Sequence, residues 1–238
     1  MAKIKRENLN TKVYSALKQM ITNYRFKPGE RINVEQITKE LGVSRTPIWE
    51  AIRRLEHEGL VINSPNKGVF MYTLSTDEAL DLIAVRETLE SMAARLAAER
   101  IDDRTLAKLD KELLKQKKIV ENRDMLAYSQ ADTRFHAMIY ATTGNVFLCE
   151  TLDNIFSKLR PVAIHVGGFI QNFYEAHIAI LKALKARDPE KVQEQFRRHT
   201  QHIMNIIRSG ELTYIRPERS KKPDKIQSSK LHEVDLTV

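Results

Sequence analysis

Asp132 and His136 stand four residues apart in a stretch of helical periodicity, so both side chains leave one face of a helix. His177 lies between Phe173 and Leu181 in a second such stretch, with Ile178 and Ile180 beside it. His199 falls in a third, three residues before His202. A carboxylate and three imidazoles carried by three helices can surround a divalent ion and leave positions open for water or an acid ligand. Such donors suit Zn, Ni, Co, Mn or Fe better than Mg. The bland reading stands beside this one: the chain has 7 His, and any of these can be an ordinary core or surface side chain. His165, among small and apolar residues, and His202 are alternative members of the set.

A second chemistry is concentrated between Asn33 and Tyr72. Asn33 can cap a helix, with Gln36 three residues on, and Val34, Ile37 and Leu41 form its buried side. Gly42 suits a left-handed exit, and Ser44 can cap the next helix after one intervening residue. That spacing is a helix-turn-helix. In the second helix Ile48, Ile52 and Leu55 recur at core spacing, Pro47 is tolerated in the first turn, and Arg45, Thr46 and Trp49 face largely away from the core. Arg45 can present two parallel donors to guanine or hold a phosphate. Thr46 can bond a phosphate or touch a thymine methyl. Arg53 and Arg54 are placed to meet phosphates or a neighbouring acid.

Before this pair, Leu9–Tyr24 is predicted as a helix, Pro28–Gly29 as a turn and Glu30–Ile32 as a short strand. After it, Leu60–Ile62 and Val69–Tyr72 flank a turn rich in Pro, Asn and Gly, which predicts a hairpin wing with Lys67 near its tip. A small hairpin closing a core is the plain alternative.

Charge placement agrees with a polyanion partner. The chain has 238 residues and a net charge of +8, and residues 1–74 carry 13 Lys/Arg against 7 Asp/Glu. Residues 75–210 carry 20 against 19. The excess positive charge therefore sits mainly in the first third, ahead of a nearly neutral second part. Apolar residues at 42% and charged residues at 29% exclude a chain disordered throughout. No run of about 18 apolar residues predicts a membrane span, so no membrane partner is expected. The basic start MAKIKRENLN leads into no apolar signal core, and the single cysteine, Cys149, cannot pair within the chain. A reducing cytoplasm is the simple expectation.

The elements that must hold the His/Asp set are helical. Candidates run over Thr76–Glu99, Asp102–Glu121, Arg123–Ala141, Val146–Arg160, Phe169–Arg187 and from Asp188–Pro189 to near Gly210, with breaks expected at Pro161 and Gly167–Gly168. The fold class expected is mainly α: a winged helix-turn-helix over 1–74, then an all-α antiparallel bundle of six or seven helices over 75–210. Residues 211–238 form an extension whose Arg219–Lys230 stretch has the composition of a solvated, disordered segment.

Two sets of residues carry a resemblance. Leu41-Gly42-Val43-Ser44-Arg45-Thr46-Pro47, continued by Glu50-Ala51-Ile52-Arg53-Arg54-Leu55-Glu56 and Glu58-Gly59-Leu60-Val61, resembles the winged helix of GntR-type bacterial transcription regulators over about residues 9–72. Asp132-Thr133-Arg134-Phe135-His136, Gly144-Asn145, His177-Ile178-Ala179-Ile180, Asp188 and His199 resemble the helical FCD domain of the FadR-like subfamily over roughly 76–209. Arg86 and Glu90 fit that domain's first helix motif.

The resemblance implies a homodimer on a palindromic double-stranded operator. It implies that Arg31, Arg45 and Thr46 hold or read DNA, with Lys67 and Gly68 in the wing; from their own chemistry and position Ser44, Trp49 and Arg53 join the set, Trp49 either touching sugar or a base methyl or packing locally against the first helix. The resemblance implies a metal on Asp132, His136, His177 and His199, with Zn or Ni the first choices. A small organic acid is the expected effector, its carboxylate meeting the metal and neutralised or oriented by Arg86, Arg134 or Arg160, with His165 a further group beside the site; of these Arg86 resembles the family's cavity arginine. Each arginine can instead pair internally with Glu90, Asp132 or Asp153. Two departures stand out: Trp49 occupies a usual arginine position, and Ala176 precedes His177 where glutamate is usual.

The expected function is a metabolite-responsive DNA-binding regulator, a local repressor being the commoner kind. A DNA-binding protein whose helical part only dimerises is one alternative. A metal-dependent hydrolase is another, with no general base evident beside the cluster.

Overall fold

The structure, a computed structural model, describes the backbone of residues 3–165 and 169–210 and the side chains of 9–160 and 169–210. Helix α1 (Lys3–Thr22) buries Val13, Leu17 and Ile21. It begins before the expected Leu9 and stops short of the expected Tyr24, whose φ of 58° takes the chain out of the helix. Gly29, at φ 75°, makes the turn into β1 (Arg31–Ile32).

Asn33 caps α2 (Val34–Leu41), its side-chain oxygen accepting from the Gln36 N–H at 3.1 Å. Gly42, at φ 62°, ends it by donating back to the Thr38 and Lys39 carbonyls. Helix α3 (Arg45–His57) packs on α1, with Ile48, Ile52 and Leu55 at most 1% exposed. Full burial of one such side chain stabilises by about 1.5–3 kcal/mol. Ser44 has the extended backbone of a cap, but its hydroxyl makes no capping hydrogen bond. Strands β2 (Val61–Ser64) and β3 (Gly68–Met71) form the wing. The antiparallel order is β1-β3-β2, with Ile62 opposite Phe70 and Ser64 opposite Gly68.

Six helices follow among the described residues: α4 (Thr76–Arg100), α5 (Asp103–Glu121), α6 (Met125–Ala141), α7 (Val146–His165), α8 (Ile170–Lys185) and α9 (Pro189–Arg208). Ser75 and Glu78 close a reciprocal capping box on α4. Asp102, Asp124 and Asp188 cap α5, α6 and α9. The buried side of α4 contains Ala93, Ala94, Ala97 and Ala98, small enough for α9 to lie close along it. Helix α5 packs on α6 and α8, and α7 on α6 and α4.

Pro161 does not break the chain as expected, since α7 runs on to His165. A proline removes one backbone donor and presses on the carbonyl four residues earlier. The buried Ile155, Phe156 and Leu159 supply packing that offsets this local cost. The expected Gly167–Gly168 break and the extension over 211–238 lie outside the described residues. No helix among the described residues is long and apolar enough to cross a membrane.

Candidate metal centre and nucleic-acid interface

Helices α6, α8 and α9 bring Asp132, His136, His177 and His199 together. One ligand atom from each lies within 4.8 Å of those of the others. The three imidazole centroids are each 5.1 Å from the other two. Asp132 Oδ1 lies 3.3 Å from His177 Nε2 and 3.8 Å from His136 Nε2. Donors at Zn–N distances of 2.0–2.1 Å lie at most about 4 Å apart, so small inward shifts close this group on an ion.

The unpaired atoms point the same way. His136 Nε2, His177 Nε2 and both ring nitrogens of His199 are buried without a hydrogen-bond partner. The other nitrogens of the first two rings are committed. His177 Nδ1 is 2.8 Å from Gln116 Oε1, and the Gln116 amide nitrogen donates to the Ala131 carbonyl at 3.2 Å. That orientation leaves Gln116 Oε1 as acceptor and His177 Nδ1 as donor, so Nε2 keeps its lone pair. His136 Nδ1 is 3.0 Å from the Tyr140 hydroxyl, which itself donates to Glu90. Again Nε2 is left free. Burial, with His177 next, holds the pKa of His136 and His199 well below the ordinary imidazole value. Both rings are neutral, the form that binds a metal. The residues present fit a transition metal.

Beside this group lies a cavity of about 50 Å³, with Arg86, Asp132, Thr133, Arg160 and His199 on its polar side and Ile83, Phe156 and Phe173 on its apolar side. A water needs roughly 10–15 Å³ by this measure, so the space holds a few waters or a small molecule. Arg86 is 4% exposed, pairs with Glu90 at 3.0 Å and lies over the Phe156 ring at 4.0 Å. Burial opposes its charge, but Glu90, Tyr140 and Asp132 more than offset that, and its pKa is raised. Glu90 is fully buried and also accepts from the Thr200 hydroxyl at 3.0 Å. The formal charges of Arg86, Arg160, Glu90 and Asp132 cancel. A divalent ion held here would add +2 for an anion to offset.

Other expected positions differ. Arg134 does not line this cavity: its side chain is half exposed and pairs with Glu112 at 3.0 Å. Two residues beyond Asp132 is about 200° around a helix, so the two cannot share a face. His202 stands outside the ligand group, edge-on to Phe173 at 5.3 Å. The side chain of His165 lies outside the described residues. Gln116, Tyr140 and Thr200 were not singled out from the sequence. Yet Leu106, Leu109, Leu113 and Gln116 continue one apolar stripe at spacings of three and four, and a polar residue at its end was the available signal.

On the winged helix, Ser44, Arg45, Thr46, Arg53 and Lys67 are exposed. Arg45 pairs with Glu35 at 2.7 Å, with both side chains 71% exposed. Such a pair is worth about 0–1 kcal/mol and yields readily to a phosphate or base. Trp49 is half-buried and packs against the core of this part. Arg54 lies over the Tyr14 ring at 3.8 Å. Gly68, at φ 106°, leaves room for Arg31, whose Nε is 3.0 Å from where a Cβ would stand.

Residues 9–71 match the model of bacterial regulatory proteins of the gntR family, and residues 81–202 match the FCD domain. The Nta operon transcriptional regulator of Aminobacter aminovorans is 32% identical over 87% of this chain and 99% of its own length. The chain belongs to the GntR family. A second relative, the HTH-type transcriptional repressor RspR of Escherichia coli K12, is 23% identical over 84% of this chain and 89% of its own. The solved structure of E. coli McbR/YncC superposes with a TM-score of 0.77 at 25% identity, covering 85% of this chain and 98% of that one. This GntR protein is a DNA-binding transcription regulator with an FCD domain, not an enzyme, and the hydrolase alternative is set aside.

Proposed function

We propose that the protein is a dimeric repressor that binds a palindromic operator and senses a small carboxylate at a metal in its helical part. The convergence of unpartnered, buried imidazole nitrogens carries this reading. Asp132, His136, His177 and His199 would hold Zn or Ni, with Mn, Co or Fe also compatible with these donors. The ion would supply open coordination positions for a carboxylate oxygen. Arg86 and Arg160 would neutralise and orient that carboxylate from the cavity wall.

At the other end, Arg45 and Thr46 would read base edges, while Arg31, Ser44, Arg53 and the wing residues Lys67 and Gly68 would hold the backbone. Trp49, packed on its own core, would contribute mainly by fixing α3. Two copies related by a twofold axis match two half-sites. RspR's description as a repressor supports that sign of control. A DNA partner implies the cytoplasm.

Metal content of purified protein, measured by mass spectrometry against Asp132→Ala and His177→Ala variants, tests the central claim. The variants should lose bound metal while keeping their helical content. Undiminished metal would remove those residues from the ligand set.

A further inference from the structure

Arg160 on α7 has contacts on two sides. It walls the cavity shared by Arg86, Asp132 and His199, and it also lines a cleft against the winged helix beside Thr22 and Tyr24. Its Nη1 donates to the carbonyl of Thr22, the last residue of α1, at 3.2 Å. Its Nη2 reaches the hydroxyl of Thr133, next to Asp132, at 3.4 Å. Its Nε is buried with no partner. Its backbone carbonyl accepts from the Tyr24 hydroxyl, just past the end of α1. One residue therefore clasps the end of α1 through both side chain and main chain.

We propose that Arg160 couples occupancy of the cavity to the placement of the DNA-binding part. This rests on the acid-sensing reading above. A carboxylate in the cavity meets two available donors: the unpartnered Nε, and Nη2, whose bond to Thr133 is long and weak. Nε and Nη2 form one edge of the guanidinium and bind a carboxylate as a pair. The group is planar and rigid, so centring that edge on an anion carries Nη1 away from Thr22. Helix α1 packs on α3, the helix that bears Arg45, and its end leads through the Gly29 turn to Arg31 beside the wing. Losing the Nη1 bond loosens the end of α1, with the Tyr24 hydroxyl on the Arg160 carbonyl and Gln130 on Asn23 as the remaining ties, and so lets the winged helix shift relative to its twin. Linkage requires the reverse effect too: operator binding weakens acid binding by the same factor.

The test uses full-length protein loaded with zinc, and a duplex that the protein itself has selected from a random pool. Acetate, glycolate and succinate are the probes, with their binding measured by calorimetry. A bound acid should speed backbone hydrogen exchange at residues 23–26 at least threefold and weaken duplex binding at least fivefold. Arg160→Lys keeps the charge but cannot span both contacts. Tyr24→Phe removes the hydroxyl's bonds to the Arg160 carbonyl and to Ser129 while leaving Arg160 in place, and so guards against a misfolded lysine variant. Both should keep wild-type zinc content, Tyr24→Phe should also keep wild-type acid affinity by calorimetry, and at acid concentrations that saturate each variant the acid should shift duplex affinity less than twofold.

A residue that merely stabilises the fold would lower melting temperature and leave the acid-induced factor unchanged, and that result overturns the proposal. So does acid binding to wild type with unaltered exchange at residues 23–26, which leaves acid sensing standing. If none of the acids binds zinc-loaded wild type, the sensing reading itself fails and takes this proposal with it.

Discussion

Gln116 Oε1 lies 2.8 Å from His177 Nδ1, and the same amide is held from its other end by the Ala131 carbonyl. The histidine is thus fixed in ring orientation and tautomer by a residue from α5, a helix outside the His/Asp group. Outer partners of this kind typically govern metal affinity by 10–100-fold. Gln116→Ala should weaken zinc binding by about that factor, measured by competition with a chromophoric chelator. Affinity within twofold of wild type would show that Gln116 does not orient the ring.

Glu90 compensates Arg86 inside the bundle, where Glu90 is fully buried and Arg86 nearly so. Removing one partner of a buried pair leaves an uncompensated charge and costs about 3–5 kcal/mol. Glu90→Ala should therefore lower unfolding stability by about that amount in urea titration. Glu35→Ala, which breaks the exposed pair with Arg45, should change it by less than about 0.5 kcal/mol.

Metal-free protein should lose stability in mild acid. His136 and His199 have folded pKa values depressed by burial, while the unfolded rings return to about 6.5. The unfolded chain then binds more protons below pH 6.5, so the stability present above that value drains away as pH falls toward the depressed folded values. Melting temperature should be flat from pH 8 to 7 and decline from pH 6.5 to 5. His136→Gln should soften the decline.

Arg45 and Gly68 should separate reading from positioning. Arg45→Ala should weaken operator binding by about 1–3 kcal/mol and relax preference at one base position, with melting temperature nearly unchanged. Gly68→Ala places a Cβ against the Arg31 guanidinium at a φ of 106° that alanine adopts badly. It should lower both wing stability and operator affinity. Gel-shift titration with melting curves distinguishes the two patterns.

Much of the fold was legible because the signals are local. Asn33, Gly42, Asp102 and Asp188 end or begin helices through bonds to backbone a few residues away, and those bonds formed where the spacing places them. The apolar stripe of Ile48, Ile52 and Leu55 likewise faces the core from a single helix. Pro161 misled because a local penalty was outweighed by the packing of Ile155, Phe156 and Leu159 in the turns before it. Which arginine faces the cavity was not legible, because it depends on helix rotation in the bundle: Arg86 and Arg160 line the space while Arg134 pairs with Glu112.

Sequence alone determined the donor types, the helix faces and the polarity of the two parts, since each depends on neighbours within a turn or two. Tertiary structure decided which ring nitrogens stay free, that Gln116 and Tyr140 take the others, and that Arg160 spans from Thr133 to Thr22. Those relations join residues up to 138 positions apart. Only the packing of several helices at once sets distances of that kind, because no periodicity along one chain segment carries them.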